Sequence, residues 1–273
     1  MQKTTWMKAA VLSLGLLAAS SSLVWAQGEE KGLSCNQRNW NGDQASHCVM
    51  REQTIPAAGG VLNVDGRTNG GVSVRGWDRA EILVRAQVQT WAKTDEEARG
   101  LADQVSVEVN GNSIRSNGPT SQGRDRKGWA VSFEVFVPRS YDLSLKAHNG
   151  GISVRDVQGR IEFETTNGGV SLARLAGEVR GTTTNGGINL TLDGSQWNGS
   201  GVDVRTTNGG VKVMMPANYS AHLESSTVNG GMTFDFPVTV QGKIDRELNT
   251  DIGGGGAPIR VRTTNGGVSI RRI

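Results

Sequence analysis

The sequence predicts an all-β protein: a β-helix or solenoid with coils of about 20 residues, preceded by an N-terminal strand region with one short α-helix. Three observations predict it. An Asn-Gly-Gly triplet recurs seven times, as TTNGGV at 165–170, 206–211 and 263–268, TTNGGI at 183–188, TVNGGM at 227–232, AHNGGI at 147–152 and RTNGGV at 67–72. Apolar and polar residues alternate on both sides of the later copies, the pattern of short strands with one buried face. The asparagines Asn149, Asn167, Asn185, Asn208, Asn229 and Asn265 are spaced by 18, 18, 23, 21 and 36 residues, a period that marks a stacked array.

The elements follow in order. Residues 1–26 carry Lys3 and Lys8, an apolar run over 9–19 and the small-residue end Val24-Trp25-Ala26, which predicts a secretory signal peptide. That run is shorter than the roughly 20 residues a bilayer span needs. No second long apolar run follows, so the mature chain is expected to lack a membrane span and to be periplasmic or secreted. The chain holds 29 Lys and Arg against 26 Asp and Glu. Without the two leader lysines it is close to neutral, which argues against a basic surface for nucleic acid.

Residues 27–54 are polar and lack a period, and they read as an irregular cap closed by a disulfide between Cys35 and Cys48, the default for two cysteines in an oxidising compartment. A CxxC spacing with matching metal ligands is absent. Residues 55–137 form a β-rich lead-in. AEILVRAQV (80–88), VSVEV (105–109) and AVSFEVFVP (130–138) alternate as strands. Between the first two, Thr94 and Glu97 make a capping box, and Ala98, Leu101, Ala102 and Val105 recur at helical spacing. Residues 138–273 are the repeat array. The copy at 67–72 departs from its rule, because Val64 precedes Asn69 by five residues where Phe163 precedes Asn167 by four. An extra residue or bulge is expected there.

Asn-Gly between alternating runs also suits a hairpin turn, so a sandwich of hairpins is the alternative fold. Near-identical triplets favour coils, because stacked corners must share one backbone conformation and can join their side chains in a ladder. Glycine supplies the conformational freedom, and the asparagine amide both donates and accepts. The expected ladder is Asn149, Asn167, Asn185, Asn208, Asn229 and Asn265.

The stretches VFVPRSYDLSLKAHNGGISVRDVQGRIEFETTNGGVSL and DIGGGGAPIRVRTTNGGVSI resemble the bacterial putative-adhesin family of unknown function, over about Ile55 to Ile273. The resemblance implies a right-handed β-helix-like fold in an envelope or secreted protein. It implies no reaction and transfers no catalytic residue.

Chemistry on such a scaffold needs acids, histidines or nucleophiles in register. His47, His148 and His222 are dispersed, and no nucleophile elbow or metal-ligand spacing is present. At 18-residue spacing, Glu162 and Glu164 are expected to face Arg180 and Gly181. No catalytic, cofactor or metal residue is therefore assigned. Two candidate contact surfaces remain. One is the hydroxyl row Thr166, Thr184, Thr207 and Thr264. The other is the long interval 237–258, a degenerate coil or a protruding loop, with Asp245, Arg246 and Asp251. The function expected is a non-enzymatic, adhesin-like protein contacting an envelope or surface component, glycan or protein. The alternatives are a polysaccharide lyase or hydrolase, and a structural or signalling accessory without a ligand. The last strand, in VSIRRI (268–273), is expected to leave an edge able to pair.

Overall fold

Each repeat sends one strand into its Asn-Gly-Gly corner and another out of it, and in the computed structural model these two strands belong to different sheets. The structure describes residues 32–35, 44–120, 127–236 and 246–273. The chain opens with β1 (Ala45–Pro56), β2 (Val61–Asp65), β3 (Val72–Trp77) and β4 (Glu81–Ala92). Then come α1 (Asp95–Gln104), β5 (Ser106–Asn110), β6 (Ser113–Asn117) and β7 (Gly128–Pro138). In the repeats β8 (Asp142–Ala147) leads through its corner to β9 (Ile152–Arg155), and β10 (Gln158–Thr165) to β11 (Val170–Ala173). They continue with β12 (Ala176–Asn185) and β13 (Ile188–Thr191), β14 (Gly201–Asn208) and β15 (Val211–Met215), and β16 (Ala221–Asn229) and β17 (Met232–Phe234). Last are β18 (Glu247–Ile252), β19 (Pro258–Asn265) and β20 (Val268–Arg272).

One sheet runs β1-β4-β7-β3-β9-β11-β13-β15-β20-β17 and the other β18-β16-β19-β14-β12-β10-β8-β2-β6-β5. Strands flanking a corner do not pair with each other, so the hairpin sandwich is not the fold. Each pairs in parallel with its equivalent in the next coil, as β10 does with β8 and β12. Like residues thereby stack on like. Leu143, Ile161, Val179, Val202, Ile259 and Leu223 form one inward row, and none is more than 2% exposed. Ile152, Val170, Ile188, Val211 and Val268 line the facing sheet. Removing these aliphatic rows from water is the main force holding the coils together.

The helix forms as its sequence dictates. The Thr94 hydroxyl accepts from the Glu97 N–H at 3.2 Å, and Ala98, Leu101 and Ala102 are buried. Thr90 on β4 donates to the Ala98 carbonyl at 2.7 Å, tying the helix to the sheet. At the irregular early corner, Arg67 takes a left-handed φ of 54° and its N–H bonds the Asp65 carboxylate at 2.8 Å. That is the extra residue the spacing required.

Five expectations need correction. The coils do not stack in sequence order, because β19 and β20 slot between β14–β15 and β16–β17. The strand in VSIRRI is consequently paired on both sides. Within the long interval, residues 247–252 are an antiparallel strand on β16, neither a coil of the array nor a protruding loop. Residues 45–54 are not irregular cap but most of β1, which pairs along its length with β4. It shows no alternation because an edge strand is held by backbone hydrogen bonds with one face half exposed. The boundary at 137–138 also dissolves, since β2 and β3 form the coil next to β8–β9. Finally, Glu164 faces Thr182, while Gly181 faces Phe163. A Cβ on Gly181 would lie 2.4 Å from the Phe163 ring, so the glycine makes room for the aromatic side chain.

Candidate functional site

The corner is built from three stacked rows. The asparagine side chains form a continuous chain of amide hydrogen bonds, each Nδ2 donating to the Oδ1 of the next rung. Asn149 donates to Asn69 at 3.0 Å, Asn167 to Asn149 at 2.8 Å, Asn185 to Asn167 at 2.7 Å and Asn208 to Asn185 at 2.8 Å. Asn265 then donates to Asn208 at 2.7 Å and Asn229 to Asn265 at 2.8 Å. Asn69, absent from the ladder expected above, is its first rung. All seven asparagines are exposed.

Behind the amides, the first glycine of each triplet touches the carbonyl of its counterpart. A Cβ on Gly168 would lie 2.0 Å from the Gly150 oxygen, on Gly186 2.1 Å from Gly168, and on Gly209 2.2 Å from Gly186. No side chain fits there, so close approach of backbones rather than turn conformation fixes the first glycine. Inside the corner, the first threonine of each motif is buried and donates to a glycine carbonyl of the neighbouring coil. Thr165 reaches Gly150 at 2.9 Å, Thr183 Gly168 at 2.8 Å, and Thr206 Gly186 at 2.7 Å. Thr227 and Thr263 do the same at 2.7 Å. Sequence reasoning singled out the second threonine and missed this one, although both recur in TTNGG.

The structure places Thr166, Thr184, Thr207 and Thr264 one residue before the amide rungs; Thr184 is exposed and the other three are half-buried. His148 continues their row, its Nδ1 lying 3.1 Å from the Thr166 hydroxyl. Asp245 lies outside the described residues. Arg246 is exposed and gives its carbonyl to the Thr227 N–H at 2.9 Å. Asp251 on β18 meets His222 Nδ1 at 2.7 Å, while Arg246 lies beside the corner that stacks on Thr263. Cys35 and Cys48 are joined as a disulfide with a Cα separation of 5.6 Å. It holds residues 32–35 against the sheet, where Leu33 accepts from Arg85 and Ser34 from Gln87.

The outer face of the second sheet carries a cross-strand row of alternating charge: Glu162, Arg180, Asp203, Arg260 and Glu224. Parallel stacking would set like charges side by side at about 4.8 Å, and alternation avoids that. Arg260 donates to Glu224 at 2.7 Å, Arg262 pairs with Asp203, and Arg180 with Glu178 at 2.6 Å. The Arg260 hydrogen bond holds the Glu224 carboxyl below the usual carboxylate range. At the opposite corner, Arg174 donates to both Asp156 oxygens at 2.6 and 2.8 Å, with the same effect on Asp156. A shallow groove of about 610 Å³ crosses this face, lined by Lys146, Glu162, Glu164, Arg180, Arg205 and Arg262 among others. The histidines His47, His148 and His222 sit on separate elements and do not converge.

Fold and corner together define a parallel two-sheet β-solenoid closed along one edge by an asparagine amide ladder. Residues 139–271 match the family model Toastrack DUF4097. The repeat array is therefore a Toastrack domain, of a family of unknown function. No curated protein matches the chain. Similar crystal structures include a "putative cell adhesion protein" from Clostridium sporogenes, 12% identical over 83% of this chain and 100% of that one, with a TM-score of 0.41. A "putative adhesin" from Bacteroides fragilis is 12% identical over 83% and 97% of the two chains, also at 0.41. A "putative lipid binding protein" from Parabacteroides distasonis is 12% identical over 85% and 98%, at 0.27.

Proposed function

We propose that this is an exported, non-enzymatic, adhesin-like envelope protein whose ladder edge contacts a surface or envelope component, glycan or protein. The observation that carries the reading is the exposed edge itself. Each inner asparagine uses one N–H and one lone pair within the ladder, leaving another of each for solvent. With Thr166, Thr184, Thr207 and Thr264 beside them, they repeat at about 4.8 Å along a stiff scaffold. Repeated weak contacts on a rigid frame gain by avidity. Asp251 on β18 and Arg246 just before it, with Asp245, are the second proposed contact. Export, to the periplasm or beyond the cell, is supported by the N-terminal leader pattern and the disulfide. The winding is proposed to be right-handed, as parallel crossovers are.

The test captures envelope extract on immobilised protein. A variant with Thr166, Thr184, Thr207 and Thr264 all changed to alanine should retain several-fold less of what is captured; equal capture would sink the edge reading. One observation favours a carbohydrate-active enzyme instead: Glu162 and Glu164 share the outer face of β10 in the groove. Two residues of strand place them about 7 Å apart, within the span of an inverting acid–base pair. Against it, both are exposed, and exposure gives neither the desolvation that a general acid needs. New reducing ends or unsaturated products from envelope polysaccharides, abolished by Glu162→Gln or Glu164→Gln, would establish the enzyme and displace the adhesin.

A further inference from the structure

Asn-Gly is the dipeptide in which the backbone N–H after asparagine most easily attacks the side-chain amide, because glycine offers no side chain in the way. Seven of the chain's eleven such dipeptides stand on the ladder, and so many look like a chemical liability. The ladder shows how six are protected and one is left open. Asn149, Asn167, Asn185, Asn208 and Asn265 each donate from Nδ2 and accept at Oδ1, so their amide planes are held from both sides. Three of the attacking nitrogens are also engaged: Gly186 donates to the Asn208 carbonyl at 3.0 Å, Gly209 to Asn265 at 2.9 Å and Gly266 to Asn229 at 3.1 Å. Among the described residues Asn69 Nδ2 meets no acceptor at the other end, yet its Gly70 is buried, and a Cβ there would lie 1.9 Å from the Val131 oxygen.

Asn229 differs from the inner rungs at its acceptor oxygen and in exposure, since Gly150, Gly168, Gly186, Gly209 and Gly266 are all half-buried. It donates to Asn265, but among the described residues nothing donates to its Oδ1 and the Gly230 N–H has no acceptor. Asn229, Gly230 and Gly231 are all exposed, and a Cβ on Gly231 would meet no atom within 4 Å. Among the described residues this rung is the last of the stack, because β19 and β20 lie between it and the Asn208 rung.

We propose that Asn229-Gly230 is a spontaneous modification site, at which the open rung of the ladder deamidates while the inner rungs do not. The Gly230 nitrogen loses its proton and bonds Asn229 Cγ. The Cγ–Nδ2 bond breaks and Nδ2 leaves with a proton as ammonia. Water then opens the succinimide at either carbonyl, giving aspartate or isoaspartate, with no change of oxidation state. The product sets a carboxylate at the exposed end of the amide row. A charge at an open edge opposes addition of a further coil from another chain.

The experiment incubates the folded full chain at mildly alkaline pH and follows deamidation at each of the seven sites by peptide mapping and mass spectrometry. A parallel arm is held in concentrated urea, where the seven dipeptides lack tertiary protection. The site is supported if deamidation at Asn229 exceeds that at every other rung several-fold in the folded protein and this preference collapses in urea. It is overturned if an inner rung or Asn69 reacts as fast as Asn229 while circular dichroism remains native, or if the preference persists in urea. An Asn229→Asp variant supplies the mapping standard. Its far-UV spectrum should match that of the parent, since it loses one exposed hydrogen bond.

Discussion

A Gly168→Ala substitution would set a methyl group 2.0 Å from the Gly150 oxygen and 2.5 Å from its carbon. Both atoms are backbone, so no side chain can swing aside. Reaching the 3.4 Å at which ordinary contact begins would push two coils apart by more than an ångström, against a strand spacing of about 4.8 Å. The bonds stretched first are Asn167 Nδ2 to Asn149 at 2.8 Å, Asn167 N–H to His148 at 2.7 Å and Ile152 N–H to Gly169 at 3.0 Å. At about 1 kcal/mol net for each, the expected loss is about 3 kcal/mol. Gly169→Ala is the internal control, because its Cβ would lie 3.6 Å from the nearest atom, the Gly187 oxygen. Neither glycine has a left-handed φ, so backbone strain does not separate them. Gly169→Ala should cost less than about 0.5 kcal/mol. Equilibrium guanidinium denaturation, with a check that the slope is unchanged, measures both. Equal effects of the two substitutions, or a Gly168→Ala variant as stable as the parent, would refute the reasoning.

Thr183→Val keeps the buried shape but removes the hydroxyl that donates to the Gly168 carbonyl; the loss should be about 1 kcal/mol, against little change for the exposed Thr184→Val in the same assay. Asp156→Asn tests the ion pair with Arg174. Its depressed folded pKa means the pair contributes stability above the ordinary carboxylate pKa and loses it as pH falls through the folded value. The variant should therefore flatten the decline in melting temperature below about pH 4. It should cost no more than about 1 kcal/mol at neutral pH, because the pair is partly exposed, and asparagine tolerates the left-handed φ of 59°. Reducing the Cys35–Cys48 disulfide should lower stability by about 3 kcal/mol on the chain-entropy account, read from denaturation with and without reductant.

Much of this fold was legible because parallel stacking repeats one local solution. The alternation around Phe163, Val204 and Leu223 gave the strands, the triplets gave the corners, and Thr94 with Glu97 gave the helix start. What stayed hidden depended on contacts between coils rather than within them. Any TTNGGV unit can dock on any other, so nothing local told residues 258–272 to slot inside the coil before them. β1 escaped notice because an edge strand needs backbone pairing more than apolar alternation. At the corner, the amide ladder followed from asparagine chemistry. The buried Thr165 row did not, because two adjacent threonines carry no mark of which one points inward until the pleat is fixed by its neighbours.

The central claim is that coils stack with like corners adjacent, in the order that sets Asn265 between Asn208 and Asn229. Engineered cysteine pairs test it directly, since a disulfide bridges Cα atoms roughly 4.4–6.8 Å apart and therefore joins adjacent rungs but not alternate ones. Under mild oxidation, Asn208→Cys with Asn265→Cys, and Asn265→Cys with Asn229→Cys, should cross-link, while Asn208→Cys with Asn229→Cys should not. Cross-linking of the 208–229 pair, with the two pairs containing residue 265 remaining reduced, would contradict the account.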